Sequence, residues 1–258
     1  MQAFTQYIYQ HDDFTIILIC TSSLVLSGLM LYWLCRLIFS PFKIKEDPYY
    51  GVTIIGTALS LTALLLIFTL VQAMGIVNQT HKMVVTEVES LYKVKSVCLL
   101  VSTDDCTAIT STLDHYVRSI LASDWPKPPD HDTQGAYEGV VVCLRDIIRK
   151  NPSDSVERQN LLVALDTMIK ARHERMLNTG KEIPKVFFGA TFCLLTTFVL
   201  FFYFLAPKNG FSQLALALLL SFNGTLLGLV IVYDHPYEGD SGVTQAEFRP
   251  TLEALLRP

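Results

Sequence analysis

Apolar and polar residues along this chain fall into long blocks rather than alternating faces. Four stretches are almost free of charge: 14–39, broken only by Arg36, then 51–77, 186–205 and 211–233, which contain none. A hydrocarbon core needs about 20 helical residues to cross, and each block is that long. Inside lipid the backbone must satisfy its own hydrogen bonds, so each block predicts a transmembrane α-helix. The residues ahead of the first block, MQAFTQYIYQHDD, carry no Lys or Arg. A cleaved leader starts with a basic segment, so the first block reads as a retained span.

Between the second and third blocks the pattern changes to a helical period in polar sequence. Ile109, Leu113, Tyr116, Val117, Ile120 and Leu121 recur at steps of three and four, which predicts an amphipathic helix starting near Thr103, Asp104 and Asp105. PKPPDHD (126–132) breaks it. AYEGVVVCLRDIIRK (136–150) predicts a further helix. The next, from about 153 to 178, carries Leu162, Leu165, Ile169, Met176 and Leu177 as its apolar positions. HKMVVTEVESLYKVK (81–95) reads as a continuation of the second span outside the bilayer.

The expected architecture is therefore an all-α membrane protein. It has an N-terminal span pair (1–77), a helical soluble domain (78–184), a second span pair (185–233) and a tail with a short amphipathic helix (234–258).

Composition sharpens this reading. Of 258 residues, 51% are hydrophobic and 17% charged, against about 25% charged in soluble domains. The net charge of −4 gives no reason to expect a nucleic-acid partner. The six cysteines show no C-x-x-C spacing and the six histidines no ligand spacing, so no metal site and no cofactor are expected. No nucleophile elbow, phosphate loop or dinucleotide fingerprint is present, and no enzymatic activity is expected. Near the spans, nine basic residues flank the polar region and tail: Lys82, Lys93, Lys95, Lys170, Arg172, Arg175, Lys181, Lys185 and Arg249. Four lie on the opposite side: Arg36, Lys43, Lys45 and Lys208. The positive-inside rule applied to the total count predicts a cytoplasmic soluble domain and cytoplasmic termini in a bacterial inner membrane, while the flanks of the first span, with no basic residue before it and three after it, point the other way.

Three groups of residues stand out, each open to two readings. In the fourth span, Asn223, Gly224, Thr225 and Gly228 include a G-x-x-x-G pair that serves close helix packing or, through the polar side chains, a polar path. Gly56, Thr57 and Ser60 repeat the theme in the second span. Lys170, Arg172, Arg175, Lys181 and Lys185 form a juxtamembrane basic group, read either as a solvated face against anionic head groups or as an attractor of anions. In the tail, Asp234, His235, Pro236, Tyr237 and Gly239 read as an interfacial turn, while Asp234, Glu238 and Asp240 offer oxygens for a cation. Thr244 and Glu247 have capping-box spacing ahead of Phe248, Leu252, Leu255 and Leu256.

Several segments together resemble the bestrophin-like family of bacterial membrane proteins. They are EVESLYKV (87–94), YVRSILASDWP (116–126), ARHERMLNTGKEIPKVFF (171–188) and, most specifically, DHPYEGDSGVTQAEF (234–248). The family's tail has Phe where this chain has Tyr237, and a Pro near Gln245. The resemblance implies a relation to pentameric anion channels. The functional expectation is a homo-oligomeric ion channel in the lipid bilayer, with a non-conducting scaffold or sensor that binds a protein through its helical domain as the alternative.

Overall fold

The computed structural model describes residues 12–39, 48–97, 101–123, 131–150, 156–178, 183–237, 239–244, 248–250 and 253. Its helices are α1 (Asp13–Phe39), α2 (Pro48–Val97), α3 (Thr103–Ser123), α4 (His131–Lys150), α5 (Val156–Asn178), α6 (Lys185–Leu205) and α7 (Gly210–Asp234). No strand occurs among the described residues. Four helices are long and apolar enough to cross a membrane, namely α1, α2, α6 and α7, in agreement with the four blocks. Lys43, Lys45, Cys98, Lys181, Glu238, Gln245, Glu247, Leu252, Leu255 and Leu256 lie outside the described residues.

The second span and the segment after it form one helix of 50 residues, about 75 Å long at 1.5 Å per residue. The chain divides into two compact units, and the division falls within this helix. One unit comprises 1–76 and 182–242, the other 77–181 and 243–258.

In the first unit, α1 runs along α7. Glycine makes this possible. A Cβ on Gly224 would come within 2.8 Å of the Thr21 Cα, and one on Gly228 within 2.8 Å of the Ile17 Cα. Without a hydrophobic driving force between helices in lipid, such close backbone approach is what gains dispersion energy. Tyr32, Cys35, Phe198, Val199, Phe202, Tyr203, Leu216 and Leu220 form the core beside this seam. The Tyr32 and Tyr203 rings meet edge to face at 5.5 Å. Asn209 caps α7, its side chain accepting from the Ser212 amide at 2.8 Å.

In the second unit, the far part of α2 packs with α3, α4 and α5 around one core that includes Val84, Leu91, Leu113, Val140, Leu144, Leu161 and Met168. Val243 and Phe248 of the tail belong to it too. The stripe expected on α3 is the buried one: Ile109, Leu113, Tyr116, Val117 and Ile120 are inaccessible. The cap of α3 is Ser102 rather than Thr103. Its hydroxyl donates to Asp105 Oδ2 at 2.7 Å and accepts from the Asp105 amide at 3.2 Å, a reciprocal capping pair.

On α5 the inward face differs from the apolar positions read in the sequence. Leu162 and Leu177 are exposed, while Leu161, Ala164, Leu165, Met168, Ala171, Arg172 and Arg175 are buried. Those seven positions keep the helical step, but two of them are arginines. The expectation that Arg172 and Arg175 form a juxtamembrane basic face is therefore corrected: both point into protein. Lys170 and Lys185 remain exposed.

Candidate functional site

The polar residues of α7 lie within the first unit's own packing. Asn223 is fully buried, and its amide nitrogen donates to the Leu219 carbonyl at 2.9 Å. Among the described residues its Oδ1 has no hydrogen-bond partner. Thr225 donates to the Ser221 carbonyl at 3.0 Å and lies 3.4 Å from the Thr21 hydroxyl on α1. With Gly224 and Gly228 against the α1 backbone, this group sits at or beside a helix seam.

The group on α2 is placed differently. Gly56, Thr57 and Ser60 are exposed. A Cβ on Gly56 would meet nothing within 4 Å. Thr57 donates to the Thr53 carbonyl and Ser60 to the Gly56 carbonyl, both at 2.8 Å, so each hydroxyl hydrogen stays on its own helix and the oxygen faces outward. At 100° per residue Thr53, Thr57, Ser60, Leu64, Ile67 and Val71 share this face, and all are exposed.

The tail motif closes a joint in the first unit. Asp234 ends α7, and its Oδ1 accepts from the Ile183 amide at 2.7 Å, just ahead of Pro184 and α6. His235 Nδ1 lies 3.8 Å from Asp234 Oδ2. Pro236 and Tyr237 are buried. Gly239 has φ of 78°, which a side chain would strain, and it opens a turn in which the Gly242 amide donates to the Gly239 carbonyl. The Ser241 amide then donates to Asp13 Oδ2 at 2.8 Å, tying the turn to the start of α1. Among the described residues no three His, Cys, Asp or Glu side chains gather as metal ligands.

The second unit contains a constellation that sequence reasoning missed. Glu87, on the inward stripe of α2, is inaccessible. Its Oε2 accepts from Arg175 Nε of α5, and its Oε1 accepts from the Tyr116 hydroxyl of α3 at 2.6 Å. Arg172 Nη1 donates to the Tyr116 oxygen at 2.5 Å, and Nη2 donates to Gln134 Oε1 of α4 at 3.3 Å. The Arg172 guanidinium also stacks over the Tyr137 ring at 4.5 Å, and Arg175 faces the Phe248 ring at 6.0 Å. One polar network thus reaches all four helices of the unit. Burial, then the charge of Glu87, pushes the Tyr116 phenol well above its usual range, so it remains a donor. Ser90 adds a hydrogen bond to the Glu87 carbonyl at 2.6 Å. The available signal was positional. Glu87 falls three after Val84 and four before Leu91 on a helical stripe, and Glu87, Tyr116, Arg172 and Arg175 all lie in the segments quoted above.

Chemically this network joins its helices through buried hydrogen bonds and one ion pair. Its donors and acceptors are matched to one another, which is how buried charge is tolerated.

A family model described as the bestrophin-like domain matches residues 24–248. No curated protein matches the chain. Two crystal structures superpose on nearly the whole fold. One is a point variant of a membrane protein, with a TM-score of 0.69 at 12% identity, covering 93% of this chain and 97% of the other. The second is a mutated bacterial bestrophin homologue from Klebsiella pneumoniae, with a TM-score of 0.69 at 11% identity, covering 93% and 98%. With four membrane-spanning helices, an all-helical fold shared with that homologue and a family match over most of its length, this chain belongs to the bestrophin-like family of membrane proteins.

Proposed function

We propose that the protein is a subunit of a homo-oligomeric ion channel, anions favoured, whose pore is lined by the exposed face of α2. The observation that carries this reading is the contrast between the two polar groups of the spans. Asn223, Gly224 and Gly228 are committed to packing against α1, whereas Gly56, Thr57 and Ser60 are left outward on a helix meant to lie in lipid. Small and hydroxylated residues gain nothing from acyl chains, but they suit a water-filled path between copies. The exposed residues of α1 include the large apolar side chains Phe14, Leu26, Met30 and Leu37, beside Ser22, Ser23 and Ser27. Leu64, Ile67 and Val71 farther along the α2 face would form an apolar constriction that gates by dewetting.

The protein resides in a bacterial inner membrane with its helical domain and both termini cytoplasmic. Removing the buried Arg172 and Arg175 from the nine basic residues leaves seven against four, so the charge bias keeps its sign. Its partners are lipid, permeating ions and further copies of itself. The role is transport and not catalysis.

The test is purified protein in planar bilayers. Current with a defined reversal potential under a salt gradient supports the channel. Ser60→Cys should become sensitive to a charged thiol reagent, and Leu214→Cys should not. A silent bilayer with correctly reconstituted oligomer would favour the alternative, a scaffold or sensor that binds a protein. That reading draws on Val156, Leu162, Val163 and Leu177, exposed apolar side chains on α5.

A further inference from the structure

Building on the channel reading above, we propose that Lys82 supplies the ring of positive charge that makes the path select anions. α2 is one unbroken helix, so its outward face can be followed past the apolar residues at 100° per residue. After Ile67 and Val71 the same face carries Gly75, Asn78 and Lys82, all exposed. Lys82 lies about 20° from Val71 in azimuth and about 16 Å farther along the axis.

The charge at this level stands alone on the face. Lys82 is the first Lys, Arg, Asp or Glu of α2, so the face is uncharged from the start of the helix up to it. Among the described residues no carboxylate forms an ion pair with it. Glu87, one turn beyond, is buried and accepts from Arg175. The next charge on the outward face is exposed Glu89, about 10 Å farther along the axis, and exposed Lys93 follows one turn later and offsets it. The screening length at physiological salt is about 8 Å, so Glu89 leaves the field at Lys82 largely intact. On a single chain such a lysine is a solvated charge. In an assembly whose copies turn α2 toward a shared path, every copy brings its Lys82 to the same level. Like charges around a narrow opening with low-dielectric walls focus the potential and concentrate the opposite ion. Rings of Lys or Arg select anions in this way.

The test records the full chain in planar bilayers under a KCl gradient, where the sign of the reversal potential reports which ion carries the current. The native chain should favour chloride. Lys82→Gln should lower the chloride-to-potassium permeability ratio by about tenfold at low salt, the lower end of what a focused field gives. Lys82→Glu should invert the preference, and Lys82→Arg should keep it. These differences should shrink toward 1 M salt, where the screening length falls to about 3 Å, whereas a change caused by altered packing would persist. Lys82→Cys provides an independent arm, because its charge is set after reconstitution. A cationic methanethiosulfonate should restore chloride preference and an anionic one should reverse it, relative to the native chain given the same reagents. Arg149→Glu, the same change of charge on α4, should leave the ratio unchanged. A conducting Lys82→Glu chain with native selectivity, or a Cys variant indifferent to the sign of the reagent, would overturn the role of Lys82 and leave the channel standing. Lys82 would then meet lipid head groups rather than permeating ions. A native chain that favours potassium would overturn it as well, and a silent native oligomer would remove both the channel and its selectivity ring.

Discussion

Replacing Arg175 by Met tests the buried network most directly. The side chain stays long and apolar in its stem, but Glu87 loses its cation while remaining inaccessible, with the Tyr116 hydroxyl as its remaining side-chain donor. Breaking one side of a buried ion pair costs about 3–5 kcal/mol. For a chain of this size that corresponds to a fall in Tm of roughly 6–20 °C.

Unfolding of the detergent-solubilised proteins, followed by circular dichroism, measures it. A loss under about 1 kcal/mol would refute the reasoning, because Glu87 would then be solvated. Adding Glu87→Gln should recover part of the loss, since removing both charges costs less than stranding one.

The glycines of the α1–α7 seam should differ among themselves. Gly224→Ala drives a Cβ into the Thr21 backbone and should cost about 1–3 kcal/mol, while Gly28→Ala meets only the tip of Leu220, which can turn into an adjoining recess, and should cost less than about 1 kcal/mol in the same unfolding assay. Ser102→Ala removes the cap of α3 and should cost about 1 kcal/mol. The Ser102 hydroxyl, with smaller help from Lys150, holds the Asp105 carboxyl below its usual range. Its stabilisation is thus present above the unfolded value of 3.8 and lost as pH falls through the folded one, and acid titrations of the variant should lack that segment of the curve. Tyr116→Phe should lower Tm below pH 10, and the difference from the native chain should narrow above it, because the raised phenol pKa makes the native advantage fade as pH climbs past the unfolded value of 10.0.

The membrane-spanning part of this fold was legible because lipid imposes one rule on every residue that touches it. A block of about 20 uncharged residues leaves the backbone no choice but a helix, so α1, α6 and α7 were readable to within a residue at each end. What the rule does not say is which face of a span meets protein. Gly224 and Gly228 showed that α7 had a close partner, but nothing in their spacing named α1, and the same kind of residues on α2, Gly56 and Ser60, turned out to face away from the chain. Small residues make a close approach possible. Whether a partner takes it up depends on the rest of the helix.

In the second unit the limit has another physical cause. Apolar periodicity finds a core only where the core is apolar. On α3 it is, except for the Tyr116 hydroxyl, and the stripe from Ile109 to Ile120 could be read directly. On α5 the inward positions after Met168 are Ala171, Arg172, Arg175 and Asn178, and the outward ones include Leu162 and Leu177. Counting hydrophobic residues rotates such a helix the wrong way, and it turns two interior arginines into a membrane-facing basic patch. The long guanidinium is the cation best suited to this place: Arg175 meets the Glu87 carboxylate and approaches the Phe248 ring, while Arg172 meets the Tyr116 phenol and stacks on Tyr137. Each of these charges looks like surface in isolation. Only the coincidence of a lone acid on an apolar stripe of α2 with arginines at helical spacing on α5 marks them as partners, and that coincidence is a statement about two helices in space, which no single stretch of sequence contains.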